Sequence, residues 1–440
     1  MSVVMRARRL LPLTLAAAAA AACARGVTPA PTPAPSARAA ADTAGPIVVV
    51  LSFDGFGRTY LERGLPLPNL ARLAARGVRA RALTPSFPSL TFPNHFTMVT
   101  GRVPGHSGLV MNKMWDPALH AMYVSKDSVA PGEARWYQAE PLWATAERQG
   151  VRAATFFWPG SAAPTADGVR ASTVMQPYDD RISTETKVDS IAAWLRRPAA
   201  TRPRFVAVYV PSVDQIGHRN GPTAAATDSA VAAADRAVGR LLDSVAASPV
   251  AARVNVVVLS DHGMLPLAAE PVVDLSRWAD MTHVRAVDNG PYMALWFDGD
   301  AARLEATYAA LQRGFAASGV PARVWRRRET PVEWALRDQP RAGDLVVLAG
   351  PGHFVTARPV PPNVRINPGD HGWDPAAAPG LDGIFLAAGP NVRPLGELPA
   401  FRNVHVYPFL ARLLGVRPVP GGDGDDAVLR AAHRSGPEAP

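Results

Sequence analysis

The sequence predicts a large α/β domain in which helices cover both faces of a largely parallel sheet, with a small α+β subdomain inserted late in the chain. Three observations carry that expectation. Four apolar, β-branched-rich runs read as buried parallel strands: Ile47 to Phe53, Phe205 to Val210, Val254 to Leu259 and Ile384 to Ala388. Helical stretches separate them, the clearest from about Thr223 to Val245, where Val231, Ala234, Val238 and Leu241 or Leu242 recur on one face. Polar, chemically competent residues fall just after several of the strand runs. Alternation of strand and helix builds a parallel sheet covered on both sides.

With 440 residues, 48% of them hydrophobic and 19% charged, the composition is that of a globular protein. The chain opens on Arg6, Arg8 and Arg9 before an apolar run from Leu10 to Ala22, too short to span a bilayer as a helix. Residues 1–22 therefore read as an export signal. Ala20-Ala21-Ala22-Cys23 sets small residues before the only cysteine, as in a bacterial lipoprotein box, so Cys23 is expected to carry lipid. Plain signal cleavage beside an incidental cysteine is the alternative. Residues 23–45, with Pro29, Pro31, Pro33 and Pro35, suit a tether to a periplasmic or cell-envelope location. The domain proper is expected over 46–418, and Gly421 to Asp426 marks 419–440 as a loose tail. The net charge is +9, yet the basic residues are scattered, with Arg326-Arg327-Arg328 as the one run. That pattern disfavours a nucleic-acid partner and suits the approach of a small anionic substrate.

In open α/β sheets, ligands sit beyond the carboxyl ends of the strands. Asp54 follows the first run, Asp214 lies shortly after the second, and Asp261-His262 follows the third. An Asp or His in such a place is more often a helix cap; three acidic groups on one edge, joined by His218 four residues after Asp214, make a metal site the sharper reading. His371 follows only after 109 positions from His262, a stretch with its own strand and helix signals at Tyr292 to Phe297, Ala301 to Ala316 and Leu345 to Leu348. An inserted subdomain within 263–370 is expected. Earlier in the chain, Pro93 can take the first position of a helix running toward Thr100, which sets Thr91 at a helix N-terminus. Free N–H groups and the helix dipole favour a phosphate oxygen there. An ordinary N-cap fits that segment equally well.

The chain resembles the nucleotide pyrophosphatase/phosphodiesterase family of the alkaline-phosphatase superfamily. The resemblance runs in family order from about 47 to 415, through Phe53-Asp54-Gly55, Thr91-Phe92-Pro93-Asn94-His95, Val99-Thr100-Gly101, Asn112-Lys113-Met114-Trp115-Asp116-Pro117, Phe157-Trp158-Pro159-Gly160, Asp214-x-x-x-His218, Ser260-Asp261-His262-Gly263-Met264 and His371-Gly372. It implies an alkaline-phosphatase-like fold and a phosphodiesterase that hydrolyses phosphodiester or pyrophosphate bonds, of nucleotides to nucleoside 5′-monophosphates. It implies two Zn²⁺, one held by Asp54, Thr91, Asp261 and His262, the other by Asp214, His218 and His371. Imidazole and carboxylate are zinc ligands, and two metals can serve an in-line displacement. Thr91 would be the nucleophile, passing through phospho-Thr91. Asn112 would donate to a non-bridging phosphate oxygen together with a backbone N–H near Thr91. Phe92, Tyr178 and Tyr209 would form a nucleobase slot, with core packing as the alternative for Tyr209. His95 and His106 match motif positions and stay outside the ligand sets as packing or hydrogen-bonding residues.

Other members of the superfamily define the alternatives. A sulfatase needs a Cys or Ser nucleophile, and Thr91 stands there. A monoesterase adds a Lys and an Arg near the site, where this chain reads Phe157-Trp158-Pro159-Gly160-Ser161 as the diesterases do. A lipid-headgroup diester remains open as substrate. A catalytically silent binding module is disfavoured because all seven metal positions hold competent ligands.

Overall fold

The computed structural model describes residues 45–434, so the export signal, the lipidation of Cys23 and nearly all of the tether lie outside the described residues. Eight strands form the main sheet, in the spatial order Gly396–Leu398, Gly77–Ala80, Phe385–Ala388, Val254–Leu259, Ile47–Phe53, Phe205–Val210, Ala153–Phe156 and Thr173–Met175. Ile47–Phe53 is central, with Val49 registered against Val206 on one side and Val256 on the other, both parallel. Successive residues of a strand face opposite ways. Ile47, Val49, Leu51 and Phe53 accordingly enter one core with helices Pro68–Ala75, Thr184–Leu195 and Ala225–Ala246. Val48 and Val50 enter the other with helices Thr91–Thr100, Leu142–Arg148 and Val406–Leu414. Burial on both faces explains why the run is apolar at nearly every position, each large side chain contributing roughly 1.5–3 kcal/mol.

Two expectations are corrected. The fourth run does form a buried strand, Phe385–Ala388, but it lies antiparallel to both Val254–Leu259 and Gly77–Ala80. It is reached through the loop after His371 rather than through a crossover helix, and only a parallel neighbour requires a crossover. Residues Gly421 to Asp426 are not loose. The Asp423 carboxylate accepts from Val103 N–H at 2.9 Å and pairs with His106 Nδ1 at 2.8 Å, while Asp423 N–H donates to Gly101 O at 2.7 Å. Glycine permits this contact, since a Cβ on Gly424 would meet Val404 O at 2.4 Å. Farther on, Leu429 and Ala432 are buried and Arg434 N–H donates to Asn391 O.

Between His262 and His371 the chain builds a four-stranded antiparallel sheet, in the spatial order Arg285–Asn289, Tyr292–Trp296, Leu345–Ala349 and Ala322–Arg326, with helix Ala301–Ser318. Met293, Leu295 and Val347 meet Leu311 and Phe315 of that helix. Alternate residues Tyr292, Ala294, Trp296 and Val346 join the core of the main sheet. The insertion is thus welded on by its second face.

A buried ion pair reinforces the weld. Arg341, 2% exposed, places Nε 2.6 Å from Asp116 Oδ2 and donates from its other nitrogens to the carbonyls of Gly108, Trp136 and Arg135. Burial resists ionisation of Asp116, but the Leu119 and Ala118 N–H groups and Arg341 hold its carboxyl below the usual range. Arg341→Met would leave that carboxylate and three carbonyls buried without their donor. We expect it to cost about 3–5 kcal/mol, measured as a lower urea midpoint; an unchanged midpoint would show that the ion pair contributes nothing.

Candidate active site

Five elements deliver the polar groups to the carboxyl edge of the sheet. Asp54 leaves the central strand with its N–H on Val210 O and its carbonyl on Asp214 N–H, both at 2.9 Å, so these two acids are fixed to each other through the backbone. Helix Ser212–Asn220 carries Asp214 and His218 one turn apart, with His218 Nε2 3.3 Å from Asp214 Oδ1. Asp261 and His262 follow the adjacent strand. His371 is returned to the same edge by antiparallel pairing of Gly369–Asp370 with Leu265–Pro266. Thr91 is the first residue of helix Thr91–Thr100, behind an extended Leu90 at the N-cap position with no side-chain cap. It therefore is not the N-cap, and its Oγ1 lies 3.3 Å from His262 Nε2.

Two compact groups result. In one, His262 Nε2 is 3.0 Å from Asp261 Oδ2, 3.4 Å from Asp54 Oδ1 and 3.3 Å from Thr91 Oγ1. In the other, His371 Nε2, His218 Nε2 and Asp214 Oδ1 form a triangle with edges of 3.1, 3.3 and 3.4 Å. Ligands at zinc–ligand distances around a tetrahedral centre lie about 3.3–3.4 Å apart. The three imidazoles are oriented alike. Nδ1 of His262, His371 and His218 sits 2.9, 2.8 and 2.8 Å from the carbonyls of Gly263, Ser89 and Gly369. A carbonyl can only accept, so each Nδ1 carries a proton and each ring turns its Nε2 inward. Asp54 Oδ1, Asp214 Oδ1 and Asp261 Oδ2 are buried and make no well-formed hydrogen bond.

Imidazole nitrogens and buried carboxylate oxygens facing one another are the signature of a cation site, and the charges strain without one. Burial, with Asp261 and Asp214 nearby, pushes the Asp54 carboxyl well above its usual range. Burial also opposes ionisation of Asp261, but the His262 and His95 imidazoles outweigh it and hold that carboxyl low. Burial and the two neighbouring imidazoles drive His371 well below the usual histidine range. The donor set fits divalent zinc in both groups. Asp370, which the sequence reading passed over, stands behind the second group with Oδ1 3.9 Å from His218 Nδ1, its carboxyl pushed up to about 6 mainly by burial. Its place beside His371 in the chain was the available signal.

A second layer orients these groups. Tyr209 donates its hydroxyl to Asp54 Oδ2 at 2.6 Å, a role the sequence reading did not include, while its ring lies 6.4 Å from that of Tyr178. His95 has Nδ1 3.2 Å from Asp261 Oδ2 and Nε2 2.8 Å from Ser52 Oγ, within the main-sheet core. His106 instead pairs with Asp423 at the surface. Tyr178 is half exposed and its ring packs 5.0 Å from Phe157, whose φ of 57° is unusual for a bulky side chain. Phe92 is partly buried against Tyr123. Asn112 accepts the Phe92 N–H on Oδ1 at 3.0 Å, which leaves its Nδ2 hydrogens to donate elsewhere beside Thr91. Outer partners of metal ligands are commonly worth ten- to a hundredfold in affinity. Tyr209→Phe should therefore weaken zinc binding by about that factor, read by competition with a chromogenic chelator; unchanged affinity would reduce the hydroxyl to a packing detail.

Comparison with known proteins agrees with this arrangement. Residues 48–374 match the type I phosphodiesterase / nucleotide pyrophosphatase family. An uncharacterized pyrophosphatase/phosphodiesterase of Schizosaccharomyces pombe is 31% identical over 395 residues, covering 87% of this chain and 79% of that protein. Human ectonucleotide pyrophosphatase/phosphodiesterase family member 7 is 32% identical over 396 residues, covering 87% and 82%. Among solved structures, murine ectonucleotide pyrophosphatase/phosphodiesterase 5, an inactive threonine-to-alanine variant in complex with AMP, superposes with a TM-score of 0.80 at 26% identity, covering 89% of this chain and 100% of that one. Metal-competent clusters at the sheet edge, an alkaline-phosphatase-like fold and these matches together place the chain in the nucleotide pyrophosphatase/phosphodiesterase family of the alkaline-phosphatase superfamily, as a phosphodiesterase-type hydrolase.

Proposed function

We propose that the protein is a two-zinc phosphodiesterase that cleaves nucleotide diesters or pyrophosphates to nucleoside 5′-monophosphates through phospho-Thr91. The observation that carries this reading is the position of Thr91 Oγ1, 3.3 Å from His262 Nε2 at the uncapped start of a helix. Asp54, Asp261 and His262 would hold one Zn²⁺ with Thr91, and Asp214, His218 and His371 the other. Zinc would supply positive charge that makes the Thr91 hydroxyl more acidic and offsets charge on the departing oxygen.

The chain's own residues do the rest. Thr91 Oγ1 gives up its proton to solvent water and bonds to phosphorus as the bond to the leaving oxygen breaks, the leaving group departing with that electron pair. Water then cleaves the phospho-Thr91 bond and regenerates the hydroxyl. Asn112 Nδ2 donates to a non-bridging oxygen, where charge builds in the transition state. Nearby basic groups are otherwise engaged, Lys113 3.5 Å from Asp288 and Lys187 on the Tyr209 carbonyl at 3.2 Å. This favours a diester over the more highly charged monoester. That a threonine-to-alanine variant of a structural relative is inactive accords with a threonine nucleophile.

Thr91→Ala is expected to abolish turnover of thymidine 5′-monophosphate p-nitrophenyl ester while leaving the thermal melt close to that of the wild type, and Thr91→Ser should retain part of the rate. Wild-type turnover in Thr91→Ala would sink the covalent mechanism.

Phe92, Tyr178 and Tyr209 would line the base slot. The exposed ring of Tyr178 is best placed to stack on a nucleobase. Stacking on an aromatic contributes roughly 1–3 kcal/mol, or about tenfold to a hundredfold in kcat/KM. Tyr178→Ala should slow the thymidine ester by about that factor and leave methyl p-nitrophenyl phosphate, which has no base, almost unchanged. Equal losses on both substrates would make Tyr178 structural.

A further inference from the structure

The inserted subdomain sends one turn into the active-site edge. Arg285–Asn289 and Tyr292–Trp296 form a hairpin in which Asn289 pairs with Tyr292 across Gly290 and Pro291. Asn289 is 7% exposed. Its side-chain amide accepts from Lys113 N–H at 2.9 Å through Oδ1 and donates to Lys113 O at 2.9 Å through Nδ2. The same Nδ2 lies 3.3 Å from Met111 Sδ. One amide thus pairs with both backbone groups of Lys113, as an antiparallel strand would, and touches Met111. These residues flank Asn112 on either side. The Asn112 carbonyl is held separately by Ser125 N–H at 2.8 Å.

The rest of the turn rests on the second ligand group. Gly290 has φ +72°, and a Cβ there would come 2.9 Å from Asp370 Oδ2. A Cβ on Gly372 would meet Leu90 Cδ2 at 3.0 Å and Pro291 Cδ at 3.2 Å. The turn is therefore packed against the residues on both sides of His371, Asp370 through Gly290 and Gly372 through Pro291. Lys113 itself starts the hairpin Lys113–Asp116 with Ala121–Val124, so the clamp acts where that hairpin leaves Asn112.

We propose that Asn289 is a positioning residue for catalysis: by clamping Lys113 it sets the side chain of Asn112 at the phosphate, so that the inserted subdomain completes the active site. This rests on the reading of Asn112 as a phosphate donor. Asn289 touches no reacting atom, and all its influence passes through Asn112.

That dependence makes a double-mutant cycle decisive. Asn289→Ala, Asn112→Ala and the double variant of the zinc-loaded full chain would be assayed for kcat and KM on thymidine 5′-monophosphate p-nitrophenyl ester, with zinc content and thermal melts recorded. Loss of a transition-state donor costs roughly 10²–10³ in kcat, expected for Asn112→Ala. Misplacing a catalytic group by about 1 Å can cost up to roughly a hundredfold, so Asn289→Ala should lose about tenfold to a hundredfold in kcat with KM within about twofold. In the Asn112→Ala background the second substitution should change kcat by less than about twofold. Losses that multiply, or wild-type kcat in Asn289→Ala beside a slow Asn112→Ala, would overturn the inference alone. Wild-type kcat in Asn112→Ala would overturn the donor reading and this inference with it. Should Asn289→Ala fail to fold, Asn289→Asp, which keeps the bond to Lys113 N–H and loses the one to its carbonyl, carries the same cycle with the same outcomes.

Discussion

The architecture turns on an electrostatic debt at the edge of the sheet: buried carboxylates and inward-facing imidazole nitrogens gathered within a few ångströms. Coulomb repulsion and desolvation both oppose such a gathering, and a divalent cation is the natural way to relieve it. Much of the orientation of these groups comes from backbone contacts. His262, His371 and His218 are aimed by the carbonyls of Gly263, Ser89 and Gly369, and Asp54 is locked to Asp214 through main-chain bonds. A carbonyl fixed in the main chain offers each ring a partner that cannot itself swing away by a change of rotamer.

Around this centre the fold divides its labour. Stiffness comes from the central strand, buried on both faces, and from the helices on either side. Fine adjustment comes from side chains one step out. Tyr209 and His95 each touch a carboxylate with one polar atom while their rings pack edge-on, 5.1 Å apart, in the wall beneath. Lys187 is a less obvious part of the same wall. It is almost wholly buried, with Nζ on the Tyr209 carbonyl and 5.3 Å from the Phe157 ring centre, and burial pulls its ammonium down to about 8.

Much of this could be read from the chain itself, and the boundary is instructive. Strands Ile47–Phe53, Phe205–Val210 and Val254–Leu259 coincide with the apolar runs because both their faces are buried, and burial is written directly in composition. The direction of Phe385–Ala388 was not legible, since an antiparallel strand buried on both faces has the same composition as a parallel one. The candidate residues stood out through their spacing after strands and through family motifs, and the structure brings those seven side chains to one edge. What stayed hidden is contact between distant segments. Nothing local to Tyr209 announces that its hydroxyl reaches Asp54, 155 positions earlier. Nothing local to Asn289 announces Lys113, and a polar residue before Gly-Pro reads as an ordinary turn. The Gly421 to Asp426 stretch misled for the opposite reason: glycine signals freedom in sequence but here serves close approach.

The pairing of Leu265–Pro266 with Gly369–Asp370 gives the insertion the topology of a closed loop whose two ends are stitched together at the metal edge. Its interior can then vary in length at little entropic expense, because closure entropy grows only logarithmically with the residues enclosed. The distal strand Ala322–Arg326 and helix Ala301–Ser318 are, in that sense, ornaments on a fixed clasp. Elaboration of that distal crown would leave the anchoring of His371 untouched, because the clasp closes beneath it.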